Sequence, residues 1–192
     1  MKLILSSCDF GNSISAKHIT DNLCKPISDC KVLYFPNEKV TPEKIKSGKY
    51  ESRVAEFGFQ RHNIFVANYF APASFFDLDI DVIYISGGNT FGTMKLIRDS
   101  GFDKAIVNYV QNGVVYIGGS AGAHIATADI SHVVKYDNDT FGLTDYSGLG
   151  LYNGILICHY TEDRKADFQD LIEFGIRPVL ALSNDQSIVI HD

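Results

Sequence analysis

No apolar run in the sequence approaches the roughly 20 residues needed to span a bilayer. The opening, Met1-Lys2-Leu3-Ile4-Leu5-Ser6-Ser7, is too short an apolar stretch for a signal peptide and reads as a buried first strand. No basic cluster stands out, and the formal net charge is −6. Nucleic acid and anionic membrane both demand a positive face, so neither is an expected partner. Cysteine is sparse: the four, at positions 8, 24, 30 and 158, form no CxxC pair, and the histidine spacing fits no zinc pattern, so no metal is expected. Free thiols in a reducing cytoplasm are the reading, with Cys24 and Cys30 the one pair that could join. Repeats, low-complexity tracts and linkers are absent as well. The 192 residues are expected to form one domain, 1–192, whose core needs no disulfide or metal.

What is present is an alternation of short apolar runs with longer amphipathic segments. Residues 3–5, 32–35, 64–66, 82–85, 114–117, 155–158 and 179–182 read as strands. Several are continuously apolar, as strands buried on both faces are. Thr41-Pro42-Glu43 is a helix start, because Thr caps, Pro suits the first helical position and Glu suits the positive end. Residues 90–100, 102–112 and 165–174 read as further helices, stopped by Gly101, Gly113 and Gly175. The fold class is therefore α/β, a mostly parallel sheet with helices on both faces. Residues 129–150 are polar and turn-rich and suggest a hairpin or an excursion from the sheet. The chain stops at or just after a strand, Ile188-Val189-Ile190, as if a short C-terminal segment were to follow.

In such sheets ligands sit at the carboxyl ends of the strands, so the loops after Ile85, Ile117 and Cys158 matter most. After Ile117 comes Gly118-Gly119-Ser120-Ala121-Gly122, a G-x-S-x-G turn between strand and helix. The turn lifts the Ser120 hydroxyl clear of the sheet, and Gly118 and Gly122 remove the side chains that would obstruct it. The free N–H groups behind Ser120 favour a developing oxyanion. After Ile85 comes Ser86-Gly87-Gly88-Asn89-Thr90, where the N–H of Gly88 could join that of Ala121 as an oxyanion hole. The same loop also reads as a helix start capped by Asn89 or Thr90.

A serine nucleophile needs a base. His159, at the end of an apolar strand, is the choice; His124, one helical turn past Ser120, more naturally packs or caps, and His62 and His132 lie in polar surroundings. Candidates to orient the histidine are Asp185, Glu162, Asp163, Asp137 and Asp129. Asp185 is preferred for its place in the turn after residues 179–182, with Asn184 a neutral substitute.

At these residues the chain resembles peptidase family S51, the group of α-aspartyl dipeptidases (peptidase E) and cyanophycinases. The resemblance rests on Gly118-Gly119-Ser120-Ala121-Gly122-Ala123, on Gly87-Gly88-Asn89-Thr90 after a strand, and on Ile157-Cys158-His159-Tyr160 about forty residues past the serine. It implies a flavodoxin-like or class I glutamine-amidotransferase-like fold, with Ser120 as nucleophile and His159 as base. It also implies Gly88 and Ala121 as the oxyanion hole, with Gly87, Asn89 and Thr90 near the substrate, and no cofactor. The implied substrate is a small peptide with an acidic residue on the acyl side. Two departures stand out. Where the dipeptidase has a carboxylate past its serine, this chain has Lys135, with Asp137 two further on. The family's substrate-reading arginine must be replaced by Arg164 or Lys165. Two alternatives to a serine peptidase are a module that cradles a small anion and a silent relative acting as an interaction protein. The sequence leaves the oligomeric state open.

Overall fold

A computed structural model describes residues 1–191. In chain order it contains β1 (Lys2–Ser6), α1 (Ser13–Asp21), β2 (Val32–Phe35), α2 (Pro42–Lys46), α3 (Lys49–Ala55), β3 (Ile64–Val66), β4 (Val82–Ile85), α4 (Thr90–Asp99) and α5 (Phe102–Gln111). It continues with β5 (Val115–Gly119), α6 (Ala121–Ile125), β6 (Ile155–Ile157), α7 (Lys165–Phe174), β7 (Val179–Ala181) and β8 (Ser187–His191). Six strands form one sheet in the order β3-β2-β4-β5-β1-β8, parallel except for the antiparallel β1–β8 pair.

Every residue of β2, β4 and β5 is buried, which is why those strands read as unbroken apolar runs. Successive side chains serve opposite faces. On β4, Tyr84 packs against Phe10 and Phe57, while Ile85 meets Gly122 of α6. The register sets Ser6 opposite Gly119 and Ile85 opposite Gly118. The loops that follow β1, β4 and β5 thus emerge side by side at one edge.

The expected Thr41 start is an N-cap, with its hydroxyl accepting from the Lys44 N–H. Three expectations need amendment. First, β6 and β7 stand apart as a two-stranded parallel pair. The open edge of β1 is taken by β8, so no place in the main sheet remains there for β6. Second, of the hairpin or excursion from the sheet expected over residues 129–150, the structure has the excursion and no hairpin. Their ordered parts are a 3₁₀ turn, Ser131–Lys135, and a single bridge between Asp129 and Ser147. Third, α1 and α3 were not read from the sequence; α1 is capped by Asn12, which accepts from the Ser15 N–H at 2.9 Å. All four cysteines are free, so Cys24 and Cys30 do not pair, and Cys158 is fully buried as a core residue. Among the described residues no helix is long and apolar enough to cross a membrane.

Candidate active site

Ser120 sits between β5 and α6 with φ 48° and ψ −107°, a backbone state rare for a residue with a side chain. Its N–H is held by the Ser6 carbonyl at 2.8 Å. The flanking glycines are sterically required. A Cβ on Gly118 would lie 2.6 Å from the Gly122 carbonyl oxygen, and one on Gly122 would lie 2.0 Å from that of Ile85. Close backbone approach, more than conformational freedom, dictates the glycines here.

The strand β6 delivers His159, also with positive φ, 54°. Its Nε2 is 2.8 Å from Ser120 Oγ and its Nδ1 is 2.6 Å from Asn184 Oδ1. Because the amide oxygen only accepts, Nδ1 carries the proton and Nε2 is free to accept from the serine hydroxyl. The main-chain N–H of His159 donates to Ser7 Oγ at 3.1 Å, and Asn184 is steadied through its own carbonyl, which accepts from Asn12 Nδ2 at 2.8 Å.

Asp185 is not the residue on His159. The turn before β8 is closed by Gln186 N–H on the Ser183 carbonyl, and neighbouring residues in so tight a turn point apart. Asn184 faces the ring, while Asp185 accepts from Ser183 Oγ at 2.5 Å, a bond that lowers its carboxyl pKa. Of the other candidate carboxylates, Asp163 is exposed and three are engaged elsewhere. Asp137 accepts from the Thr90 N–H, Asp129 from the Ser131 N–H, and Glu162 pairs with Lys165 in solvent.

The second glycine turn adjoins the elbow: a Cβ on Gly87 would lie 3.4 Å from Ser120 Cβ. Gly88 is hemmed in from the other side, since a Cβ there would lie 2.5 Å from Asn37 Cβ. Among the described residues no acceptor takes the N–H of Gly88 or of Ala121. Asn89 and Thr90 serve the scaffold. Asn89 caps α4 through the Gly92 N–H, and its own N–H donates to Glu38 at 2.9 Å. Thr90 is fully buried with its hydroxyl 3.4 Å from His124 Nδ1.

A family model described as peptidase family S51 matches residues 3–192. The chain belongs to peptidase family S51. Among curated relatives it is similar to an uncharacterized peptidase of Listeria innocua, 31% identical over 122 residues, which are 58% of this chain and 56% of that protein. It is also similar to peptidase E of Citrobacter koseri, 30% identical over 115 residues, covering 58% of this chain and 48% of that protein. The matches thus span about half the length of those curated relatives. A Listeria monocytogenes protein crystallised under a provisional peptidase E label superposes with a TM-score of 0.75 at 22% identity, covering 98% of this chain and 93% of that one. A peptidase from an acI-B1 Actinobacterium gives a TM-score of 0.64 at 17% identity, covering 99% of this chain and 83% of that one. These two likenesses show the fold.

Within this S51 chain the two expected substrate cations differ in placement. Arg164 is partly buried; its Nη1 donates to the Cys158 carbonyl at 2.5 Å, and its guanidinium lies 4.1 Å from the Tyr136 ring centre. It is therefore fixed beside the residue preceding His159. Lys165 is exposed and pairs with Glu162. Lys135, in the place of the family's carboxylate, reaches out to Asp167 at 2.5 Å.

Sequence reasoning overlooked Asp9, in the loop after β1. Among the described residues three non-glycine residues have positive φ: Ser120, His159 and Asp9 at 42°. Such backbone states cost on the order of 1–3 kcal/mol each and gather at functional sites. A Cβ on Gly119 would lie 2.3 Å from Asp9 Oδ2, so that carboxyl packs directly on the residue before the nucleophile. Burial raises its pKa most, against the hydrogen bond from the Tyr84 hydroxyl at 2.9 Å, which lowers it. The available signal was topological: β1 ends at the same edge as β4 and β5.

His124 is buried and contacts Thr90, Cys158 and His132. Its Nε2 accepts from the Cys158 N–H at 3.2 Å, and its ring lies edge-on to His132, 5.8 Å away. His132 is also buried, contrary to its polar sequence neighbourhood, with Nε2 2.8 Å from the Leu156 carbonyl. Burial, then the neighbouring histidines and Arg164, push the His124 pKa down from 6.5 to about 3; burial also lowers that of His132. Both rings are stabilised neutral, so their contribution is complete above pH 6.5 and is lost as pH falls through that value. For His124, whose folded value lies near 3, this removes about 1.4 kcal/mol per pH unit below 6.5. Urea unfolding is expected to show stability falling between pH 6.5 and 5, where carboxylates scarcely titrate. A flat profile over that window would contradict the burial of neutral rings.

Proposed function

We propose that residues 1–192 act as a serine peptidase domain that hydrolyses dipeptides or small peptides in the cytoplasm. The observation that carries this reading is the 2.8 Å contact between Ser120 Oγ and His159 Nε2, with the opposite ring nitrogen held by Asn184. Family membership and the names of the relatives support peptide hydrolysis, and four free thiols support a reducing compartment.

Ser120 Oγ attacks the scissile carbonyl carbon while His159 Nε2 takes its proton. The N–H groups of Gly88 and Ala121 receive the oxyanion, and Gly87, lacking a side chain beside Ser120, leaves room for the substrate. His159 then passes the proton to the leaving amine. Water, deprotonated by His159, attacks the acyl carbon, and His159 returns that proton to Ser120 Oγ as the acyl–oxygen bond breaks. Asn184 keeps the ring in the required tautomer without supplying a counter-charge. A serine-directed phosphonofluoridate is expected to form one adduct, mapping to Ser120. No adduct, or one elsewhere, would overturn the assignment.

Arg164 is the cation for an acidic residue on the acyl side, because its guanidinium is anchored next to His159 while Lys165 is spent in solvent. A charged hydrogen bond of this kind contributes about 1.5–3 kcal/mol. Arg164→Ala is expected to lower kcat/KM for Asp-Leu by about 10- to 100-fold relative to Ala-Leu. The ratio matters, since Arg164 also steadies the Cys158 carbonyl and both rates will fall somewhat. Equal losses on the two peptides would place the preference elsewhere.

A further inference from the structure

We propose that Asn37 and Glu38, on the loop after β2, are positioning residues that hold the Gly88 N–H toward the oxyanion formed at Ser120. This deepens the serine peptidase reading and rests on it for the role of that N–H.

The strands β2 and β4 pair in parallel with Phe35 opposite Ile85, so the loops that follow them leave the sheet side by side. The first loop grips the second at two successive peptide units. Asn37 Nδ2 donates to the Gly87 carbonyl at 3.1 Å, and Glu38 Oε2 accepts from the Asn89 N–H at 2.9 Å. Gly88 lies between these contacts. Its nitrogen belongs to the peptide unit whose oxygen Asn37 holds, and its carbonyl to the unit whose N–H Glu38 holds. Consecutive side chains therefore fix the main chain on both sides of Gly88. The grip itself is anchored. Asn37 Oδ1 accepts from the Lys39 N–H at 3.2 Å, which turns the amide nitrogen toward Gly87. The Asn37 carbonyl accepts from the Val40 N–H at 3.0 Å, and the Pro36 carbonyl accepts from the buried Tyr69 hydroxyl at 2.8 Å.

Peptide planarity converts the first contact into a direction. Among the described residues no peptide bond is cis, and in a trans unit the C=O and the N–H point opposite ways. With the Gly87 carbonyl drawn to Asn37, the Gly88 N–H points away from Asn37. The Asn37 side of the loop is closed, since a Cβ on Gly88 would lie 2.5 Å from Asn37 Cβ and 2.6 Å from Glu38 Oε2. Ser120 stands beside Gly87, where a Cβ would lie 3.4 Å from Ser120 Cβ and 3.9 Å from its Oγ. Adjacent glycines tolerate many backbone angles, so without the grip the 87–88 unit is free to turn over. It would then present a carbonyl oxygen, which opposes a developing negative charge instead of stabilising it.

The test reads transition-state stabilisation apart from substrate binding. Asn37→Leu removes the donor with little change of volume. It is expected to lower kcat for Asp-Leu about 10- to 100-fold, part of the roughly 10²- to 10³-fold that losing one oxyanion donor costs, with KM held within about threefold. Labelling of Ser120 by the phosphonofluoridate should slow by a similar factor, because its phosphoryl oxygen needs the same donors. Calorimetric binding of Asp-Leu to Ser120→Ala protein should change by less than about threefold when Asn37→Leu is added. Glu38→Leu is expected to lower kcat about 10-fold, and Glu38→Gln, whose amide oxygen accepts the same N–H, to recover most of that loss. Asn37→Ala is the second variant, should the leucine fail to fold. Unchanged kcat in a folded Asn37 variant, equal losses in kcat and in Asp-Leu binding, or a Glu38→Gln protein as slow as Glu38→Leu overturns the inference. If Asp-Leu is cleaved and the Asn37 variants label at the unaltered rate, the positioning role falls and the peptidase reading stands. If the variants label more slowly but no form of the protein cleaves Asp-Leu, the peptidase reading falls and the positioning role stands. Absence of labelling at Ser120 in unaltered protein overturns both.

Discussion

Ser120→Ala is expected to lower kcat/KM on a small peptide by about 10⁴- to 10⁶-fold while leaving the fold intact. The substitution removes the attacking oxygen and the proton that His159 accepts. It changes little else: alanine meets much the same penalty at φ 48° as serine does, and the Ser120 N–H keeps its bond to the Ser6 carbonyl. The oxyanion donors are main-chain groups and survive, so a residue of rate acceleration over water remains. Because nucleophile and base act as one unit, adding His159→Ala to Ser120→Ala should cost almost nothing further. Steady-state kinetics on both single variants and the double variant, with circular dichroism as the fold check, decide the matter. A Ser120→Ala protein within tenfold of the unaltered rate would end the serine mechanism. Strictly multiplicative losses would mean that the two residues do not work together.

Gly122→Ala is the substitution with the largest expected effect on stability. The new methyl would stand 2.0 Å from the Ile85 carbonyl oxygen, and no rotamer change can relieve a contact with main chain. Either α6 moves away from β4, or β4 distorts within a sheet that buries all four of its residues. Overpacking of this kind costs about 1–3 kcal/mol and occasionally more, which for a chain of this size lowers Tm by roughly 2–4 °C per kcal/mol. Gly142→Ala is the comparison. Gly142 has φ +69° with nothing within 4 Å of a new Cβ, so alanine there meets backbone strain alone, about 1 kcal/mol. Thermal unfolding should rank Gly122→Ala clearly below Gly142→Ala. The folded fraction of Gly122→Ala should also lose activity, because Ser120 is the N-cap residue of α6. Equal Tm values for the two would mean that strain, and not the approach of α6 to β4, explains the glycine.

Much of the site could be read because its chemistry is packed into local turns. The elbow needs small residues two positions either side of Ser120, and that demand is written as Gly118 and Gly122. The strands β2, β4 and β5 declared themselves by continuous apolar runs, since both their faces are covered. The helix α4 was readable from Asn89, a cap that acts within three residues.

The remainder depended on contacts between distant parts of the chain. Asn184 and Asp185 are adjacent and chemically similar candidates, and the choice is made by how one turn meets a ring 25 residues earlier in sequence. Asp9 joins the site because parallel pairing sets Ser6 opposite Gly119, a register no local pattern specifies. His132 looks polar among its sequence neighbours and is buried because its ring packs edge-on against His124 and bonds to the Leu156 carbonyl. The sequence by itself thus determined which strands are buried, where the nucleophile turn lies and which glycines it needs, because backbone sterics and apolar burial act over a few residues. Only the tertiary structure decided which side chain orients His159, which carboxyl packs on Gly119, and that β6 stands outside the main sheet. Those outcomes rest on strand register and edge occupancy, which are settled when segments far apart in the chain pack together.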